Sequence, residues 1–247
     1  MLNGLPFYIP LLFILTTLVT FILFIAAVKR KDAGNRTVLV SLILVAWLSL
    51  HAILSMLGFY TVTNQTPPRF MILVVPPFLA ILLFFVTEKG RKFIDTLSPE
   101  ILTQLHVVRV FVEVVLLWLY MYKFIPRLMT FEGRNFDLIS GITATLVYYF
   151  GFVRRKLEAK TMLVWNFVCL FILLFTVANA VLSVPTPLQQ FGFDQPTIAV
   201  LYFPFVWLPG IVVPLVIFSH LISIRLLIRE VKQKNISSSL LIIKQVA

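Results

Sequence analysis

The sequence predicts an all-α integral membrane protein of seven transmembrane helices, with its N-terminus outside and its C-terminus in the cytoplasm. Three observations carry this. Hydrophobic side chains make up 60% of the 247 residues and the mean hydropathy is +1.00, whereas a soluble domain is about half apolar. The apolar residues gather into seven runs near the roughly 20 residues that a helix needs to cross a bilayer. The basic residues gather on alternate connections between those runs.

In chain order the runs cover about 6–28, 37–60, 70–87, 101–122, 137–153, 161–183 and 198–224. No Lys or Arg precedes the first, and it is longer than the apolar core of a signal peptide, so it reads as a retained helix. The second holds His51 and Ser55 one helical turn apart, and the third is interrupted by Pro76 and Pro77. The fourth opens on Ser98-Pro99-Glu100, where a capping hydroxyl, a first-turn proline and a dipole-matching carboxylate mark a helix start. The fifth presents Asp137, Ser140, Gly141, Ala144, Tyr148 and Gly151 as a small, weakly polar face suited to close packing. The sixth carries Asn179 and Ser183 and the single cysteine, Cys169, which excludes a disulfide framework and a cysteine-type metal cluster. The seventh holds Pro204, Pro209 and Pro214. The connections are too short for a built-in ATPase, kinase or soluble ligand-binding module.

The formal charge of +11 sits on particular connections. Lys29, Arg30, Lys31 and Arg36 follow run one, and Lys89, Arg91 and Lys92 follow run three. Arg154, Arg155, Lys156 and Lys160 follow run five, and Arg225, Arg229, Lys232, Lys234 and Lys244 follow run seven. The intervening connections hold only Arg69, Lys123, Arg127 and Arg134. This alternation orients the chain by the positive-inside rule and attracts anionic lipid. It accounts for the charge without a nucleic-acid partner, which is not expected.

An internal repeat organises the runs. VSLILVAWLSLHAILS, residues 40–55, aligns without a gap on VCLFILLFTVANAVLS, residues 168–183, at an offset of 128. The same offset sets Thr17-Leu18-Val19 on Thr145-Leu146-Val147, and Pro68 and Pro76 on Pro196 and Pro204. The chain therefore reads as a first three-helix unit, 1–96, a connecting fourth helix with its outer loop, 97–133, a second three-helix unit, 134–234, and a cytoplasmic tail, 235–247. An even number of spans separates equivalents, so the units are parallel, related by an axis along the membrane normal.

This 3+1+3 layout with an outer N-terminus resembles that of the SWEET sugar transporters and the wider PQ-loop group. The resemblance is architectural and covers the whole chain. The Pro-Gln motif of those proteins is not matched: run one offers Pro6 and Pro10 without Gln, and run five has no proline. A sugar substrate therefore does not follow.

The candidate site starts from HVVRVFVE, residues 106–113. At about 100° per residue, His106, Arg109, Glu113 and Tyr120 fall within about 60° of arc on the fourth helix. Arg109 and Glu113 lie close to mid-membrane, where an ionisable group costs roughly 2.5–3.5 kcal/mol, so the stripe faces protein or water. Their i, i+4 spacing allows a bridge on one helix. His51 and its equivalent Asn179, with Ser55 and its equivalent Ser183, are expected at similar depth. Together these eight residues form the expected ligand or transport cavity. Pro76, Pro77, Pro204 and Pro209 are the expected hinges, since proline-interrupted spans at matched places point to a transporter site. Arg134, Asn135 and Asp137, with Gln189 and Gln190, are expected to form an outer lid.

The function these expectations favour is a carrier or channel for a small solute or ion with an outward-facing polar cavity. Two alternatives use the same residues: a seven-helix sensor or membrane-complex subunit that binds a hydrophobic ligand, and an intramembrane enzyme. The sequence leans away from an enzyme, because it shows no HExxH, no paired Asp motif and no nucleophilic serine context. No cofactor and no metal are expected. The expected partners are the lipid bilayer of a plasma (inner) membrane, a small molecule or ion, and a second copy or another membrane protein.

Overall fold

The computed structural model describes residue 2 and residues 4–30 and 34–246, with side chains as far as Ile236. Lys31 and the side chain of Lys244, both counted among the orienting charges, lie outside this range. The regular elements among the described residues are all helical: α1 Tyr8–Lys29, α2 Asn35–Met56, α3 Met71–Val86, α4 Glu88–Ile94, α5 Pro99–Leu105, α6 Val108–Met121, α7 Asp137–Tyr148, α8 Ala159–Val181 and α9 Val213–Val246. Five stretches are long and apolar enough to cross a membrane: α1, α2, Pro99–Met121, α8 and Leu208–Ile236. The pair α3 and α4 makes a sixth if a 94° bend is allowed within one span, and Asp137–Val153 is a shorter apolar helix.

Local chemistry explains the breaks. At the α3–α4 bend, Thr87 leaves helical geometry and its Oγ1 accepts from the Gly90 amide at 3.2 Å, capping α4. Arg91 Nη1 donates to the carbonyls of Phe85 and Val86 at 3.2 and 2.7 Å, which the end of α3 leaves open. Only glycine fits at position 90, because a Cβ there would lie 2.4 Å from the Phe84 carbonyl oxygen.

The helix at Pro99 begins where its sequence marks it, but Ser98 does not cap it with its side chain. The Ser98 hydroxyl instead accepts from Arg30 Nη1 at 3.2 Å, and Glu100 pairs with Arg30, so the capping signature ties α5 to the end of α1. Between α5 and α6, the amides of His106 and Val107 donate three residues back, to Thr103 and Gln104. This is a tightened turn of the 3₁₀ type. It leaves α5 and α6 one span.

The prolines paired by sequence offset differ in setting. Pro76 and Pro77 sit inside α3. Pro204 follows a cis peptide bond outside any helix, between a 3₁₀ turn at Ala199–Leu201 and a π-helical turn at Leu208–Val212 that contains Pro209. No α-helix precedes Pro204 for it to kink. The last helix also runs on through residues 235–246, the stretch assigned as a tail.

Packing centres on α9, whose residues between Leu215 and Leu227 are largely buried. It lies against α8 and α5, while α1 crosses α5 and α6, and α7 packs on α6. The α6–α7 approach is close at Gly141, where a Cβ would stand 2.8 Å from Val110 Cγ2 and 2.9 Å from the Val110 amide nitrogen. By contrast α2 stands at the periphery. Only His51 and Ser55 on it are buried, and Leu39, Leu42, Ile43 and Ile53 are more than half exposed. An apolar surface of that extent needs a hydrocarbon solvent or a partner to cover it.

Candidate functional site

The span formed by α5 and α6 turns His106, Arg109 and Glu113 into the bundle, at 0%, 3% and 1% exposure. Arg109 and Glu113 do not bridge along their own helix. Arg109 Nη2 pairs with Asp137 Oδ1 at the first residue of α7. Its Nη1 bonds His220 Nε2 on α9 at 3.2 Å. The other ring nitrogen of His220, Nδ1, lies 2.9 Å from Asn166 Oδ1 on α8. Arg109 can only donate, so Nε2 is the acceptor and Nδ1 carries the proton toward Asn166, an assignment made from the hydrogen-bond pattern. The His106 ring stacks on that of His220 with centroids 3.7 Å apart, and Trp165 stands edge-on to His106 at 5.6 Å.

Glu113 is held by a different partner. Its Oε1 accepts from Asn135 Nδ2, which also donates to the Met129 carbonyl at 3.1 Å. Asn135 Oδ1 accepts from the Asp137 amide at 3.0 Å and from Thr176 Oγ1 on α8 at 3.1 Å. Asn135 thus joins the Glu113 arm to the Arg109–Asp137 arm, and the network runs without interruption from Asn166 on α8 to Glu113 on α6. Its charged groups are almost fully desolvated, where pairing is obligatory.

Several polar atoms in this region have no hydrogen-bond partner among the described residues: Glu113 Oε2, Arg109 Nε, both ring nitrogens of His106 and Thr197 Oγ1. Glu113 and Thr197 both line one cavity of about 80 Å³, together with Asn135, Asp137 and Thr176. The rest of its wall is apolar, including Val112, Leu116, Leu173 and Pro209. A water needs on the order of 10–15 Å³ of such space. The cavity is therefore large enough for a few waters, or for a small cation with part of its hydration.

The expected cavity residues divide into groups. His106, Arg109 and Glu113 share the network. His51 lies in a separate cluster, with Nδ1 2.5 Å from the Tyr60 hydroxyl and Trp47 edge-on at 4.1 Å. Ser55 donates to the Leu201 carbonyl at 3.0 Å, joining α2 to the broken stretch before α9. Asn179 and Ser183, the latter just past the end of α8, bond carbonyls of that helix, those of Phe175 and Asn179. The Tyr120 backbone carbonyl accepts from Gln195 Nε2 at 3.0 Å.

The residues expected in an outer lid also divide. Asn135 and Asp137 point inward, at 1% and 6% exposure, and belong to the network. Arg134 stands over the Phe191 ring at 6.0 Å. Gln189 donates within its own loop to Phe191 and Gly192, and the Gln190 amide donates to the Leu182 carbonyl. Of the hinge prolines, Pro209 lines the 80 Å³ cavity.

Sequence reasoning passed over His220, Asn166 and Thr176. The signal was present for the first two, because a histidine or asparagine inside an apolar span is costly unless partnered. Thr176 carries no comparable signal, since a threonine hydroxyl can bond its own helix.

Residues 67–228, more than half of the chain, match the model of a family described as a domain of unknown function, DUF8737. The match covers α3 to α9 down to Ile228 and so includes the whole network. No curated protein and no solved structure matches the chain.

Proposed function

The chain belongs to the DUF8737 family, and we propose that it is a seven-span carrier in which the Glu113 cavity binds a proton or small cation coupled to movement of a small solute or ion. The observation that carries this reading is the free Glu113 Oε2, on an otherwise fully buried side chain, lining a cavity with Thr197. A negative charge there has to be matched by a cation or a proton, because an unpaired carboxylate in an apolar enclosure is too costly to persist. Arg109 cannot supply the match, being committed to Asp137.

In this reading α3 and Asp137–Val153 also cross the membrane, and α4, turned by 94°, lies at the cytoplasmic face. The basic connections around 29–36, 88–98 and 154–160 face the cytoplasm of a plasma (inner) membrane. Units 1–96 and 134–234 are parallel repeats. Supporting the repeat, Tyr8 at the start of α1 maps to position 136, next to Asp137 of α7, and Met71 of α3 maps onto Ala199. The broken stretch at Phe203–Val212 and the prolines of α3 are then the flexible counterparts in the two units.

Proteoliposomes loaded with the pH dye pyranine test the reading. Under an imposed proton gradient the wild-type protein is expected to acidify the lumen faster than protein-free vesicles, and Glu113→Gln to fall to that background with normal yield. Equal flux through wild type and Glu113→Gln would remove the assigned role of Glu113.

A further inference from the structure

A second cavity, of about 250 Å³, separates α2 from α3 and α9. Its wall is hydrocarbon: Phe84 and Phe93 close one end, and Trp47 and Pro76 the other. It arises from the way α2 is fastened. Trp47 Nε1 donates to the Gly210 carbonyl at 2.8 Å, Trp207 Nε1 to the Leu48 carbonyl at 3.0 Å, and Ser55 to that of Leu201 at 3.0 Å. All three ties lie in the half of α2 from Trp47 onward. In the untied half, Val40, Ile43 and Leu44 line the cleft opposite Ala80, Ile81 and Phe84 of α3.

We propose that this cleft is the binding site for one acyl chain of an anionic membrane phospholipid. Its rim lies on the outer surface, where Ile43 is 58% exposed and Ala80 is exposed, so the cleft opens sideways between α2 and α3. A bilayer presents acyl chains to such an opening at very high local concentration. From Phe84 to Pro76 the cleft runs along α3 for about 12 Å, most of the hydrocarbon depth of a single leaflet, about 15 Å. The volume exceeds the roughly 150 Å³ of an apolar cavity that accepts one benzene, so a chain segment fits.

The charge at the Phe84 end selects the headgroup. The 94° bend turns α4 across the end of α3, so Phe93 of α4 closes the cleft while exposed Lys89 and Lys92 flank it. Lys92 is bridged to Glu88 at 2.7 Å, and Arg91 is turned back to the α3 carbonyls. Arg36 lies one turn before Val40 on α2, at the same end. Lys89 and Lys92, against the single carboxylate of Glu88, favour a phosphate without a compensating choline.

Native mass spectrometry of the detergent-purified protein tests this with dioleoyl-phosphatidylglycerol and dioleoyl-phosphatidylcholine as probes. The wild-type protein is expected to retain one phosphatidylglycerol per chain and little phosphatidylcholine. Ala80→Phe, which fills the cleft from its rim, is expected to lose that lipid, and Lys89→Ala with Lys92→Ala to lose the preference between the two. A second measurement does not depend on how Ala80→Phe folds: Trp47 fluorescence, isolated by subtracting the Trp47→Phe variant, in vesicles of either lipid brominated on the acyl chain. Stronger quenching by the brominated phosphatidylglycerol supports the site. Equal quenching by both lipids overturns it, as does unchanged retention in a folded Ala80→Phe, or a second protein chain retained in place of lipid.

Discussion

Replacing Asp137 with Asn isolates the electrostatics of the network. The substitution keeps the shape and leaves Oδ1 able to accept from Arg109, but it leaves the guanidinium as a buried charge whose other ties are a neutral His220 nitrogen at 3.2 Å and the Cys169 carbonyl at 3.5 Å. Removing one member of a buried pair costs about 3–5 kcal/mol, and the retained amide acceptor places this case near the lower end. A loss of about 3 kcal/mol is about two powers of ten in the folding equilibrium. Equilibrium unfolding in mixed micelles, followed by tryptophan fluorescence, measures it, and Trp165 beside His106 reports on the network directly. Arg109→Met with Asp137→Asn removes both charges and is expected to recover most of the loss. The reasoning fails if Asp137→Asn stays within about 1 kcal/mol of wild type, the range of a single neutral hydrogen bond, or if the double variant is no more stable than the single. Glu113→Gln serves as the contrast. Its Oε1 still accepts from Asn135, so its stability should change by less than about 1 kcal/mol.

Gly141→Ala should destabilise by about 1–3 kcal/mol, the usual range for overpacking, because the new methyl meets the Val110 amide nitrogen at 2.9 Å as well as Val110 Cγ2 at 2.8 Å; thermal unfolding in detergent checks it. Tyr60→Phe removes the bond to His51 and is expected to cost about 1 kcal/mol by the same measurement. Asp95 accepts from Arg225 at 2.9 and 3.2 Å and pairs with Arg229. Burial raises its carboxyl, but the two guanidiniums outweigh this and hold it below the ordinary carboxylate value. Its folded value therefore lies below its unfolded one, so its stabilisation is fully present above about pH 4 and is lost as pH falls through the folded value. Asp95→Asn should lower stability at neutral pH by about 1–2 kcal/mol and flatten that acid limb in unfolding titrations. For topology, an impermeant maleimide on intact cells should label Asn64→Cys and spare Asn35→Cys; the reverse pattern would invert the orientation.

The places of the five long apolar helices were largely legible because their runs are long and bounded by charge or proline, but the seventh run, read from 198, becomes a span only at Leu208. The inward direction of the His106, Arg109 and Glu113 stripe was legible from period alone, since between His106 and Tyr120 no other face carries an ionisable side chain. The partners were not. Local spacing favours Arg109 with Glu113, but the close α6–α7 approach at Gly141 brings Asp137 to the guanidinium, and an ion pair across helices has no sequence period. Asn135 and Asp137 read as part of an outer lid because they follow Glu132, Gly133 and Arg134 in a polar connection. Their burial follows from the turn at residues 130–135, where the Asn135 amide returns to the Thr130 carbonyl and directs its side chain under α6. The matched prolines could not reveal that one pair member lies in a helix and the other in a turn, because proline suits both.

The unsatisfied atoms separate a site from glue. A network that only holds helices together gains from pairing every buried atom, since each orphan costs about 1–3 kcal/mol. Asn135 follows that rule, using its amide nitrogen twice and its oxygen twice, while Arg109 Nε beside it stays unpaired among the described residues, away from the cavity lining. Glu113 Oε2 and Thr197 Oγ1 break it, and they do so at the same cavity. Two independent orphans, one on α6 and one on the loop before the 3₁₀ turn at Ala199, are harder to explain as packing defects than as two ligands awaiting a third group. In the carrier proposed above, the rigid Arg109–Asp137–Asn135 section has a second use beyond stability. By saturating Asn135 it fixes Glu113 Oε1 and leaves Oε2 as the carboxylate's open lone-pair face, the arrangement that a proton or small cation binds most directly.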